Sequence, residues 1–256
     1  MFITVMKLVV TPLLLWGTTL ATRRWGTLVG GWIVGLPLTS GPVSVFLAIE
    51  QGRDFAAASA HSTLHGLLAV VMFCFVYDRC ARRFSWPLAA ATSLAAYFAI
   101  VAFFAAVIPP LWISVILVFV VVTAGVVLVE AVPDVKSVTV APAWDLPLRM
   151  ITATTIVVTI TTISQSLGPY MSGMLAAFPV FICVMSVFSH YLNGAAAVRN
   201  FERGVIVGSY AFTVFFLVVV FTVRTWNLAL VYSVAILCAM VTNLVVYRVL
   251  AMVRRR

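Results

Sequence analysis

Apolar runs long enough to cross a bilayer follow one another along nearly the whole 256-residue chain. A membrane-spanning helix needs roughly 20 apolar residues. The chain is 64% hydrophobic and 9% charged, whereas a globular domain is about 45–50% apolar and about 25% charged. A water-soluble fold of this length cannot bury so much apolar surface. The sequence therefore predicts an all-α, polytopic membrane protein.

Nine segments meet the length requirement, and we predict nine transmembrane helices. The longest connection between them, 132–146, contains two prolines and is the only predicted linker. The predicted spans are 2–21, 27–49, 56–77, 85–106, 111–131, 147–165, 169–192, 203–223 and 226–248.

Lysine and arginine residues are distributed unevenly between alternate loops. If the N-terminus lies outside, 13 of the 16 basic residues fall on the inner side, as expected of cytoplasmic loops. The net charge of +9 does not indicate a nucleic-acid partner, because the basic residues lie in short caps between apolar runs. We therefore predict an outer N-terminus and an inner C-terminus. The inner set is Arg23, Arg24, Arg79, Arg82, Arg83, Lys136, Arg149, Arg199, Arg203, Arg248, Arg254, Arg255 and Arg256.

The two halves of the sequence match in their glycine and proline residues when the chain is shifted along itself so that Gly26 aligns with Gly168. This alignment, the repeat register, places spans 1–4 on spans 6–9 and leaves span 5 as a connector. A single connecting span makes the second half enter the membrane from the opposite side, as in many secondary transporters. We predict a 4+1+4 arrangement of inverted-topology repeats: a first repeat (1–106), a connector helix with a cytoplasmic linker (107–146), and a second repeat (147–256). The identical pairs are Gly26/Gly168, Gly31/Gly173, Pro37/Pro179, Ser44/Ser186, Val45/Val187, Phe46/Phe188, Gly52/Gly194, Gly66/Gly208 and Phe73/Phe215.

Span 2 contains GLPLTSGP (35–42), which interrupts an otherwise apolar helix, and Pro179 makes a milder break in span 7. Proline removes a backbone N–H and clashes with the preceding turn. A break persists in hydrocarbon only where other groups satisfy the freed peptides, and a packing kink with Ser/Thr back-bonding is the alternative. The predicted substrate-binding residues are Ile33, Val34, Gly35, Pro37, Leu38, Thr39, Ser40, Gly41, Pro42, Ser44, Pro179 and Ser186.

Histidines and carboxylates are few. His61 and His65 share one face of span 3, and the sequence favours either quiet packing or a proton or polar pathway that also includes Glu50 and His190. Glu50 with His61 is the preferred pair for ion coupling. Two histidines without a carboxylate do not make a metal site, so neither a metal nor a cofactor is expected. Four further carboxylates are predicted to be solvated loop residues, namely Asp78, Asp134, Asp145 and Glu202.

Residues 170–208 carry a short motif with a small-residue entry, an F-P-x-F core (178–181) and a His-Tyr pair (190–191) followed by glycine. This stretch resembles the GlpM family of small inner-membrane proteins. The resemblance implies a fused duplication in a bacterial inner membrane, where the outer N-terminus predicted from the basic residues is periplasmic and the inner C-terminus is cytoplasmic. It names no activity or substrate.

The repeat and the paired breaks predict a secondary transporter that moves a small solute by alternating access around broken helices 2 and 7. The expected partners are the lipid bilayer and the solute, and a homo-oligomer is left open. A non-transporting accessory or assembly protein is the main alternative. An intramembrane enzyme is less expected, because the spans lack a nucleophile–base pair or a carboxylate cluster.

Overall fold

The computed structural model describes residues 2–38, 40–130, 132, 142, 144–164 and 168–253. Nearly all of these residues are helical and none of them lies in a strand, so the all-α class is confirmed. The described helices are α1 (Phe2–Trp25), α2 (Thr27–Val34), α3 (Ser40–Glu50), α4 (Arg53–Ala81), α5 (Trp86–Ala106), α6 (Leu111–Leu128), α7 (Asp145–Ser164), α8 (Gly168–Ala176), α9 (Val180–Thr222) and α10 (Leu228–Val253).

Prolines mark several helix starts, where a missing backbone N–H costs nothing. Pro87 lies in the first turn of α5, and Pro110 is the residue immediately before α6. Neither proline interrupts a helical hydrogen bond. The predicted boundaries of spans 4 and 5 therefore agree closely with α5 and α6.

Within the described residues, five helices are long and apolar enough to cross a membrane, as expected of a membrane-embedded protein. The longest of these apolar stretches, Tyr170–Thr222, is 53 residues long and includes the break at Pro179 between α8 and α9. Its length is more than twice the roughly 20 residues that one crossing needs. The other four are Arg53–Ala81, Trp86–Ala106, Leu111–Leu128 and Leu228–Leu250.

Helices α4 and α9 form the centre of the bundle, and the more exposed helices surround them. In α4, 78% of an 18-residue apolar stretch is buried inside the bundle. The corresponding share is 28% in α5 and 22% in both α6 and α10. The outer helices carry exposed large apolar side chains such as Phe103, Ile116 and Leu237. This inside-out pattern suits a lipid environment, because lipid tails accept apolar side chains as readily as a protein core does.

Glycines let the short helices α2 and α8 approach the central helices at backbone distance. A Cβ atom at Gly66 of α4 would lie 2.8 Å from the Met174 carbonyl oxygen of α8, and one at Gly208 of α9 would lie 2.5 Å from the Trp32 carbonyl oxygen of α2. Real Cβ atoms do not approach an oxygen so closely, so both positions require glycine. The repeat register pairs the two glycines with each other, and it also pairs Trp32 with Met174.

A second pair of contacts recurs in the same register. A Cβ atom at Gly31 of α2 would overlap the Phe201 carbonyl oxygen of α9, and one at Gly173 of α8 would overlap the Ser59 carbonyl oxygen of α4. Phe201 aligns with Ser59, just as Gly173 aligns with Gly31. The packing of α2 on α9 is therefore repeated by the packing of α8 on α4.

The turns that enter the two central helices also match. Gly52 precedes α4 with φ 89°, and Gly194 departs from helical geometry within α9 with φ 79°. Side chains disfavour positive φ, so glycine is needed at both turns. Sequence analysis predicted a loop over 193–202, and that prediction is wrong, because helix resumes directly after Gly194.

The close approaches predict that glycine-to-alanine substitutions destabilise the protein at the helix contacts but not at a glycine outside them. We expect Gly66→Ala and Gly208→Ala each to lower the stability of the purified protein by about 1–3 kcal/mol, because the added methyl group forces the helices apart. Gly17→Ala is the control, since nothing lies within 4 Å of its Cβ position and alanine favours a helix by up to about 1 kcal/mol. Unfolding in detergent measures all three, and equal effects would contradict the backbone contacts.

Candidate functional site

Helix α2 ends at Val34 and α3 begins at Ser40, so residues 35–38 interrupt the helix, while the last three residues of GLPLTSGP already belong to α3. Residues at this break satisfy one another through short-range backbone bonds. The Leu36 N–H donates to the Ile33 carbonyl (3.1 Å), and the Leu38 N–H donates back across Pro37 to the Leu36 carbonyl (2.7 Å). This second bond closes a three-residue turn around the proline.

The second break has the same backbone hydrogen bonds. The Phe178 N–H donates to the Leu175 carbonyl (3.0 Å), and the Val180 N–H donates across Pro179 to the Phe178 carbonyl (2.8 Å). Pro179 has φ −79° and ψ 55°, which is an inverse γ-turn. The repeat register aligns each of these bonds with its counterpart in the first break. The break in the second half is therefore not milder at this turn than the break in the first.

A side chain of the first break satisfies the backbone of the second. In a continuous helix the Ala176 carbonyl would accept the Val180 N–H, but that N–H bonds Phe178 instead. The Ser40 hydroxyl donates to the freed Ala176 carbonyl at 2.7 Å. The two breaks therefore meet directly, which sequence analysis expected only from their equivalent positions.

At the equivalent position, the second half has no hydroxyl that could make the same bond to the first break. The Val34 carbonyl is equivalent to that of Ala176, because the Leu38 N–H that it would accept bonds Leu36 instead. Ile182 occupies the position equivalent to Ser40 and has no donor to offer. The crossing of the breaks is thus chemically asymmetric, and Val34 lies on the wall of the cavity described next.

Both breaks line one small central cavity of about 40 Å³. A water molecule needs about 10–15 Å³, so the cavity admits only a few waters in this conformation. Its wall combines apolar side chains with backbone groups of the two breaks, which lack the hydrogen bonds of a continuous helix. The lining residues from the two breaks are Val34, Gly35, Leu36, Leu38, Ser40, Ala177, Phe178, Pro179, Val180, Phe181 and Ile182.

A larger cavity of about 530 Å³ flanks the first break on the side of α10. Its size is typical of small-molecule sites, which measure about 300–1,000 Å³. The wall is almost wholly apolar, apart from the Tyr232 hydroxyl and the Asn243 amide. The predicted site residues that line it are Pro37, Leu38, Gly41 and Pro42.

The remaining predicted site residues lie near the breaks but bond elsewhere. Ser44 shares a hydrogen bond of 2.9 Å with the Tyr232 hydroxyl of α10. The Ser186 hydroxyl lies within hydrogen-bond distance of both Glu202 and the Ile182 carbonyl of its own helix. Thr39 lies outside the described residues.

Glu202 is a buried carboxyl that sequence analysis assigned to a solvated loop, and that prediction is wrong. It is 0% exposed, and one of its oxygens accepts the Ser186 hydroxyl at 2.5 Å. Among the described residues, its second oxygen has no N–H or O–H partner, although the buried Cys74 thiol lies beside the carboxyl, and the buried hydroxyl of Tyr77 has no partner either. The repeat register could have revealed this position, since it aligns Glu202 with Ala60, inside predicted span 3.

Asp78 and Asp145 are also fully buried, in contrast to the prediction that they are solvated. Asp78 pairs with Arg199 of α9 at 2.7 Å and with Arg82 at 2.8 Å. These pairs compensate a charge that would otherwise be costly to bury. They hold the end of α4 against the part of α9 that follows Gly194. Asp134 lies outside the described residues.

The histidines are separated along the bundle. His65 is fully buried, with Nε2 at 2.8 Å from the Ser114 hydroxyl and Nδ1 at 2.7 Å from the Tyr170 hydroxyl, and His61 shares Ser114 at 3.0 Å. His190 packs against Tyr77 near the other end of α4. Among the described residues, no three His, Cys, Asp or Glu side chains converge as metal ligands would. Glu50 is exposed at the end of α3, and its coupling with His61 stays a prediction.

No protein-family model, curated protein or solved structure matches the chain.

The Ser40–Ala176 bond predicts an effect that a back-bonded serine does not share. Ser40→Ala leaves the Ala176 carbonyl without its donor, so we expect a loss of about 1–3 kcal/mol in unfolding free energy. Ser93→Ala is the matched control, because Ser93 donates to Ala89 within its own helix. Denaturant unfolding compares the two variants, and equal losses would contradict the bridge between the breaks.

Proposed function

We propose that the protein is a secondary transporter that moves a small solute by alternating access between the two helix breaks. One observation carries this proposal: two breaks with the same backbone turn face a single cavity and are joined by Ser40 and Ala176. Discontinuous helices that meet in this way form the substrate sites of many transporters. The protein is not an enzyme in this proposal, and its resemblance to the GlpM family stays a prediction.

The recurring contacts support a 4+1+4 inverted repeat with nine spans. The glycine contacts of α2 with α9 and of α8 with α4 follow the repeat register, as do the hydrogen bonds within the breaks. Matching spans, such as spans 2 and 7, have four others between them, and an even number of intervening spans makes two spans antiparallel across the membrane. Each half then supplies one break and one central helix, and the solute passes where the halves meet.

The ion pairs support the predicted sorting of the loops into two sides of the membrane. Asp54 and Arg224, both assigned to the outer side, pair at 2.8 Å. Asp78 and Arg199, both assigned to the inner side, pair at 2.7 Å. Residues expected on one side of the membrane thus meet each other. The distribution of the basic residues then carries the proposal of a periplasmic N-terminus and a cytoplasmic C-terminus in a bacterial inner membrane.

Glu202 is the group that we assign to ion coupling. It is fully buried, and Ser186, its hydrogen-bond partner, lies one helical turn beyond Ile182, which lines the central cavity. Ionisable side chains inside a membrane protein commonly carry protons or bind ions. The exposed position of Glu50 makes it a weaker candidate for the same role.

Single cysteines at the breaks test the pathway directly. In a variant without the four native cysteines, we expect cysteines at the cavity wall to react with membrane-impermeant thiol reagents from one aqueous side or the other. The control is Leu237→Cys on the exposed apolar face of α10, which should stay unreactive in the bilayer. If no break position reacts from either side, no pathway runs between the halves. The test positions are Val34, Leu38, Ser40, Ala177 and Val180.

Glu202→Gln separates coupling from movement of the solute. Glutamine keeps an oxygen for the Ser186 hydroxyl but carries no exchangeable charge. In proteoliposomes loaded with the solute found by metabolite comparison of deletion and overexpressing cells, we expect solute exchange to persist. Gradient-driven accumulation should fall at least about tenfold, to the level of a leak.

Glu50→Gln is the matched control for this experiment, and it should leave both activities intact. The opposite result, with accumulation lost only in the Glu50 variant, would transfer the coupling role to Glu50 and His61.

A further inference from the structure

A third cavity, with a polar wall, lies among α1, α2, α7 and α9, away from the two helix breaks. Its volume is about 40 Å³, which exceeds the roughly 10–15 Å³ that a single water needs. Unlike the central cavity, its wall carries charges. The lining residues are Thr19, Thr22, Arg23, Thr27, Asp145, Arg149, Met185, Ser189, Leu192 and Asn193.

The charged groups of this cavity leave a net positive charge. Asp145 accepts Arg23 through one oxygen and Arg149 through the other, each at 2.8 Å. One carboxylate therefore faces two guanidinium groups. The Arg149 side chain is only 6% exposed and also lies over the Phe188 ring at 4.8 Å, whereas the Arg23 side chain is 40% exposed, and the single carboxylate leaves one of these two positive charges uncompensated.

Strong donors in this cavity lack acceptors of matching strength. Among the described residues, the Nη1 of Arg149 donates to the Met185 thioether at 3.1 Å, and the Thr19 hydroxyl lies 3.5 Å from the same sulfur. A thioether is a weak acceptor, whereas guanidinium groups prefer the oxygens of carboxylate or phosphate. Both donors would gain from an oxygen ligand in the cavity.

Two buried hydroxyls on the cavity wall point to the same ligand. Thr27 and Ser189 are 5% and 3% exposed, and within the described part of the chain neither hydroxyl oxygen has a hydrogen-bond partner. Thr27 is also the first residue of α2, whose N-terminus has no side-chain cap. The free N–H groups and positive dipole end of a helix favour an anion.

We propose that this cavity binds a small oxyanion group, a phosphate or carboxylate, held by Arg149, Arg23, Thr27 and Ser189. Its oxygens accept the hydroxyls and the remaining guanidinium donors, and its charge offsets the excess of one cation. The group belongs either to a free solute or to the head group of an anionic lipid. The proposal goes beyond transport, since binding is measured without any movement across the membrane.

Binding is measured with inorganic phosphate on the full-length protein in phosphatidylcholine nanodiscs. We expect phosphate to raise the unfolding temperature relative to potassium chloride at equal ionic strength, because a ligand that binds only the folded protein stabilises it. Arg149→Lys keeps the charge but loses the planar fork, so the apparent Kd should rise about tenfold.

The hydroxyl variants distinguish ligand binding from a structural role. Thr27→Val and Ser189→Ala remove groups that bond nothing else in the described chain, so we expect the unliganded stability to stay equal or to rise. Each variant should nevertheless weaken phosphate binding by about threefold to tenfold. Ser93→Ala is the control, since its hydroxyl bonds Ala89 far from the cavity and should leave the affinity unchanged.

Nanodiscs that contain phosphatidylglycerol distinguish the two sources of the anion. If a head group fills the cavity, this lipid stabilises the wild-type protein more than the three cavity variants, and added phosphate gives no further shift. If a free solute is the ligand, phosphate discriminates between wild type and variants in both lipids. The proposal is overturned if neither phosphate nor phosphatidylglycerol distinguishes the wild-type protein from the variants.

Discussion

The requirement that every peptide group inside a bilayer finds a hydrogen-bond partner governs this structure. Each break frees carbonyl groups. A proline-centred turn satisfies the carbonyls of Leu36 and Phe178, and the hydroxyl of Ser40 satisfies that of Ala176. Such a bridge forms only if α2 and α8 lie close to the central helices. The glycines at 66 and 208 permit that approach, so the breaks and the packing depend on each other.

The central crossing is symmetric in backbone and asymmetric in side chains. The turns at Pro37 and Pro179 have the same hydrogen bonds, but Ser40 is matched by Ile182. One freed carbonyl is therefore bridged, while its counterpart belongs to Val34 on the cavity wall. In the proposed transporter, we therefore expect the solute to be held at the first break, where the sequence carries the additional polar residues of GLPLTSGP.

The sequence was informative wherever a local rule or the internal repeat applied. Apolar runs indicated the helices, and prolines 37 and 179 indicated the breaks, because proline acts on its own turn. Burial of the carboxyls was not predictable in this way. Asp78 meets Arg199, which is distant in the sequence, and a local reading of the charged segment around Glu202 suggested a loop. The Ser40 bridge was hidden too, since its acceptor is a backbone carbonyl, which any residue could supply.

The two arginine-lined regions at the proposed inner side differ in how they handle charge. Around Asp78 the arginines close an ion-pair cluster that joins α4 to α9. Around Asp145 the guanidinium donors exceed the acceptors, and a cavity remains beside them. A cluster of the first kind stabilises the fold, and one of the second kind provides a place for an anion.

Whether the two halves cross the membrane in opposite directions is decided most directly by labelling one matched pair of positions. Ile49 and Tyr191 align in the repeat register, are 66% and 59% exposed, and lie just before the turns at Gly52 and Gly194. In intact cells, an inverted repeat predicts that a membrane-impermeant thiol reagent labels Ile49→Cys from the periplasm and labels Tyr191→Cys only after permeabilisation. Labelling of both cysteines from the same side would contradict the inverted arrangement and, with it, the transport mechanism.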